Sequence, residues 1–173
     1  FIIGSIIIHN YYFITLGISY NKGDLSYVYP ISRGCSPIFI TIFSVLFLQD
    51  KVSLAGWIGI LIACFGLILL TFNDIKNKIN LDVLKLALII SFTICLYTLC
   101  DAAGVRSVNN SFSYIVWLFV LDGWLIFFYV YYKNKNDLLN IHLRGFGLII
   151  LASIMSFSGY SIIIWSMNYV EVG

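Results

Sequence analysis

Three long stretches of this chain carry no Lys, Arg, Asp or Glu: residues 1–21, 52–73 and 145–170. A helix needs about 20 predominantly apolar residues to cross a hydrocarbon core of about 30 Å, and each run meets that length. The first run has no basic leading segment and no small-residue cleavage site, so it does not read as a signal peptide. Only 10% of the 173 residues are charged while 61% are hydrophobic. Soluble domains carry about 25% charged residues, so these are too few to cover a water-facing surface. The formal net charge of +2 comes with no basic stripe, which excludes nucleic acid as a partner. Abundant Ile, Leu, Phe and Tyr exclude a disordered chain. The expected partner is the lipid bilayer.

Polar punctuation divides the chain into six expected helices, at 1–19, 25–48, 53–72, 82–101, 111–132 and 145–170. The longest polar break is the linker 73–81. The expected fold class is therefore all-α, a polytopic transmembrane helical bundle. Lys22, Lys76, Lys78, Lys85, Lys133, Lys135 and Arg144 gather at the breaks after the first, third and fifth helices, whereas the other breaks hold Lys51 and Arg106. By the positive-inside rule the richer set is cytoplasmic, which places residue 1 outside. The chain opens in mid-apolar sequence at Phe1-Ile2-Ile3 and stops just past Glu171, so a fragment cut at both ends is expected.

The third helix carries Ala55, Gly59, Ala63 and Gly66 on one face, where small residues let a neighbouring backbone approach closely. Cys35, Cys64, Cys95 and Cys100 all fall in apolar stretches without C-x-x-C spacing and read as packing residues rather than zinc ligands. No metal and no cofactor is expected. Laying the first helix on the sixth brings Ser5 onto Ser153, Ile6 onto Ile154, Tyr12 onto Tyr160 and Ile14 onto Ile162. A repeat of that spacing holds five helices. An odd number of helices inverts each repeat relative to the last, as in many secondary transporters.

The stretch Val28-Tyr29-Pro30-Ile31-Ser32-Arg33-Gly34-Cys35-Ser36-Pro37, the turn Asp50-Lys51, and Gly59 with Gly66 resemble the first repeat of EamA-type carriers of the drug/metabolite transporter superfamily. Asp50 stands where that family usually has Glu. The segment from Tyr97 to Arg106 looks like the end of a first helix in the second repeat of some members. The resemblance implies a ten-helix inverted-repeat carrier in a bacterial inner (plasma) membrane, of which this chain holds the third to the eighth helix. Residues 1–72 would then close the first five-helix repeat, 73–81 link the two, and 82–173 open the second. Ten-helix members commonly keep both ends in the cytoplasm, opposite to the orientation that the loop charges give, and the orientation stays open.

Ionisable groups at membrane depth are costly and are functional suspects by default. At about 1.5 Å per residue, Arg33, Asp122 and His9 lie about 12, 15 and 16 Å from one membrane face, in one slab near the midplane. Arg33 is expected to face a cavity and bind an anionic group, or to pair with Asp122; a structural ion pair is the plainer alternative. Asp122 without such a partner is suited to carry a proton, and so is His9, which otherwise reads as a core imidazole bonded to a hydroxyl. Pro30 and Pro37 lie on nearly one face of the second helix, and each frees a backbone carbonyl, marking either a cavity-lining gate or a static kink. Tyr12, Tyr29, Tyr160 and Trp165 lie deep enough to contact a substrate. Asp101 reads as the end of the fourth helix, in a local ion pair with Arg106.

The function these features point to is a secondary carrier moving a small polar or amphipathic metabolite by alternating access, with protons as a candidate coupling ion. A membrane channel or a structural subunit of a membrane complex is the alternative. Enzyme activity is not expected: Asp101, near the surface, and the deeper Asp122 do not meet as a catalytic pair, and no phosphate loop or metal cluster appears.

Overall fold

The computed structural model describes residues 1–23, 25–69, 81–139 and 143–170. Among these, six helices and no strand are found. They are α1 (Ile2–Lys22), α2 (Leu25–Phe43), α3 (Leu54–Leu69), α4 (Leu81–Arg106), α5 (Ser111–Leu139) and α6 (Leu143–Ser166). Apart from α3, each lies in a segment long and apolar enough to cross a membrane, and α3 is a shorter apolar helix. The all-α bundle expected from the charge-free runs is thus what the chain forms. The expected linker 73–81 and residues 70–72 of the third helix lie outside the described residues, except for Leu81, which opens α4.

The helix ends follow from local chemistry. The Gly23 N–H closes α1 on the Ser19 carbonyl at 2.9 Å, with Lys22 in the last turn, where a cation meets the helix dipole. Two prolines sit inside α2 without ending it. Pro37 has no N–H to give the Arg33 carbonyl four residues earlier, and the Ser36 hydroxyl donates to that oxygen instead, at 3.2 Å. The helix then widens into a π turn, Ser44–Leu48, which Gln49 ends in a left-handed conformation (φ 59°). Ser53 caps α3 through a 3.1 Å bond from the Gly56 N–H, and Asn110 caps α5 by accepting from Phe112 N–H at 3.0 Å.

The central element is α4, which packs along both α1 and α2. Its 18-residue apolar window is 56% buried, against 6% for α6, so α4 is the axis of the bundle and α6 lies on its flank. One cluster joins Ile6, Ala102, Val105, Leu118 and Ile164; a second joins Val28, Ile31, Ala87, Ile90 and Ile94. Tyr160 packs against both. Outward faces are covered by exposed Ile, Leu, Phe and Trp, a surface suited to lipid.

Two expectations are corrected here. The helix does not stop at Asp101 but runs on through Ala102-Ala103-Gly104-Val105 to Arg106, because those residues are apolar or small and nothing there breaks the helix. The small-residue face of α3 is not its packed face: Ala55, Gly59, Ala63 and Gly66 are all exposed, and a Cβ at Gly59 or Gly66 would meet nothing within 4 Å. It is the neighbouring face, with Cys64 buried and Ile60 against the cavity, that α3 turns inward. All four cysteines are free thiols.

Candidate functional site

A cavity of about 450 Å³ opens among the helices, walled mainly by α1, α2, α4, α5 and α6, with Ile60 of α3 also on its wall. On α1, Ser5, His9 and Tyr12 recur at helical spacing and are all buried toward α4. On α4, Tyr97 and Asp101 share a face four residues apart and are likewise buried. Where these faces meet, the His9 ring lies 4.0 Å from that of Tyr97, centroid to centroid, and 5.7 Å from that of Tyr160. All three rings line the cavity. His9 Nδ1 is buried and has no hydrogen-bond partner among the described residues. The expected hydroxyl bond to the imidazole is thus replaced, at Nδ1, by ring packing.

Arg33 and Asp122 both line this cavity, as their depths predict. They do not pair with each other. Arg33 donates from Nη2 to the Tyr12 hydroxyl at 3.2 Å, and its guanidinium lies 5.9 Å from the centre of the Tyr29 ring. Asp122 accepts at Oδ1 from the Asn10 amide at 2.7 Å, and the same amide donates to the Ile6 carbonyl, which fixes its orientation. The expected ion pair between α2 and α5 is therefore absent among the described residues, because each charge is held by a polar neighbour on α1.

The other expected site residues divide. Tyr12, Tyr160 and Pro37 line the cavity; Pro30 is buried but does not line it. Tyr29 is 49% exposed and reaches the cavity only through its contact with Arg33. Trp165 is 53% exposed and packs on Tyr169, away from the cavity. Depth along a helix does not fix rotation about it, and for these two the rotation points outward.

Asp101 is the largest departure from expectation. It is fully buried, and three hydroxyls converge on it: Ser5 and Tyr114 (3.0 Å) donate to Oδ1, and Tyr160 donates to Oδ2 at 2.6 Å. Arg106 is not its partner. That guanidinium binds Asp50 at 2.9 Å and the carbonyls of Met167 (2.8 Å) and Val170 (3.1 Å), joining the end of α4 to the α2–α3 turn and the end of α6. Sequence reasoning also passed over Tyr97 and Asn10. The signal was present in the i, i+4 pair Tyr97–Asp101 and in the apolar run that continues past Asp101. Asp101 and Asp122 have separate partners and share no hydrogen bond. Among the described residues no cluster of His, Cys, Asp and Glu fits a metal ion.

The fold and the apolar spans define an integral membrane helical bundle, with a cavity lined by both polar and apolar side chains. A scan against models of protein families gives no match, and searches of curated proteins and of solved structures give none either.

Proposed function

We propose that this chain is part of a secondary carrier of the EamA type, which moves a small polar or amphipathic metabolite by alternating access between two inverted five-helix halves. The observation that carries this reading is a cavity, within a bundle of apolar helices, that holds a guanidinium and a carboxylate not neutralised by each other. Charged groups at membrane depth are expensive to keep, and an unpaired set facing a cavity is the arrangement expected of a substrate path. Arg33 binds an anionic group of the cargo. Asp122, on a different helix, accepts from a donor or cationic group, and aromatic walls from Tyr97, Tyr160 and Phe119 cover its apolar part. Pro37 lies on the cavity wall where α2 has lost a backbone bond, and supplies the point at which that helix flexes. Protons are the proposed coupling ion.

The test is uptake by liposomes containing the full-length protein, using a panel of labelled amino acids, carboxylates and nucleosides. Flux that saturates, and that is accelerated by unlabelled substrate on the far side, identifies a carrier. Flux that rises linearly with concentration identifies a pore instead, and no flux with any probe favours a structural subunit.

A further inference from the structure

The Asp101 cluster stands beside the cavity rather than in it, and its composition is informative. A buried carboxylate without a cation is destabilised by several kcal/mol unless its lone pairs are well satisfied. No basic side chain lies within 4.0 Å of Asp101 among the described residues. Every partner of Asp101 is a hydroxyl: Ser5 from α1, Tyr114 from α5 and Tyr160 from α6. An amide or guanidinium nitrogen only donates, and cannot accept the proton of the neutral acid. A hydroxyl both donates and accepts. The same three partners therefore satisfy Asp101 in either protonation state, and only O–H rotors need turn.

Tyr160 is the member of the cluster that also lines the cavity. We infer that Asp101 is a proton-binding residue of this protein, loaded and unloaded from the cavity through the Tyr160 hydroxyl. In the loading step, Tyr160 passes its hydrogen to Asp101 Oδ2 and takes one from a hydronium ion in the cavity. One O–H bond breaks on the phenol as another forms, water is released, and the positive charge neutralises the carboxylate. The unloading step is the reverse.

The groups facing this path from each packed element are few. From α1, His9 contributes a ring beside Tyr160. From α5, Asp122 and Tyr114 approach, the latter in direct contact. On α4 itself, Tyr97 stands one turn before Asp101, Cys100 is adjacent, and Arg106 is taken up by Asp50. From α2, Arg33 is held on Tyr12. None of these places a formal positive charge on Asp101 that would lock it ionised.

The inference does not depend on the carrier reading, because proton binding is measured without any substrate. Infrared difference spectroscopy of the detergent-solubilised full-length protein, titrated with acid in H2O and in D2O, reads the carbonyl stretch of a protonated carboxyl. The expected result is a deuterium-sensitive band that comes and goes with pH, is lost in Asp101→Asn, survives in Asp122→Asn, and moves to higher frequency in Tyr160→Phe, where one hydrogen bond is removed. If Asp101→Asn does not fold, the Tyr160→Phe shift alone decides. No band, a band that never changes with pH, or a titrating band indifferent to Tyr160→Phe would overturn the assignment.

Discussion

Gly104 and Tyr114 meet so closely that the helix has no room for a side chain: a Cβ at position 104 would come within 2.5 Å of the Tyr114 hydroxyl oxygen and within 2.6 Å of two ring carbons. Gly104 lies three residues beyond Asp101 on α4, so its missing side chain is what lets the phenol lie across the helix and reach the carboxyl.

The first prediction concerns that contact. Gly104→Ala should gain about 1 kcal/mol of helix propensity, yet the overpacking, about 1–3 kcal/mol, is compounded by the lost bond to Asp101. A net destabilisation of about 2 kcal/mol is expected, read as a lowered midpoint in thermal melts of the solubilised protein. Adding Tyr114→Ala should make the double variant less unstable than the sum of the two single changes. Strict additivity would show that the contact does not matter.

A second prediction follows from Arg106. Its guanidinium binds a carboxylate and two main-chain carbonyls on separate parts of the chain, a geometry that a lysine cannot span. Arg106→Ala should destabilise the bundle by about 2 kcal/mol, an amount tempered by its partial exposure to solvent. Arg106→Lys should recover less than half of that. Full recovery with lysine would mean that charge alone is what counts.

The fold was largely legible because its information is one-dimensional. Charge-free runs and polar breaks together located the starts of all six helices to within two residues, and depth counted along them brought Arg33, Asp122 and His9 to one cavity. What sequence could not supply was rotation. Tyr29 and Trp165 have suitable depth but face outward, and the Ala55–Gly66 stripe is exposed although its spacing suits packing. Asp101 is hidden from sequence for a different reason: an acid in an apolar run reads as a helix end, whereas hydroxyls from three other helices, distant in sequence, make its burial tolerable.

Pro37 gives a third prediction. Pro37→Ala restores an N–H able to bond the Arg33 carbonyl, freeing Ser36 and stiffening α2 at the cavity wall. Under the flexing role, the maximal transport rate should fall severalfold with little change in half-saturation. If the kink is static, neither quantity should move.

The central claim is that Arg33 and Asp122 hold one substrate in one cavity, and counterflow into liposomes tests it most directly. For whichever probe the full-length protein carries, Arg33→Gln and Asp122→Asn should each raise the half-saturation concentration about 10–100-fold, the loss of a charge-assisted hydrogen bond of about 1.5–3 kcal/mol, while the protein remains folded. Unchanged half-saturation in both variants, or flux through the unaltered protein that never saturates, would contradict the account.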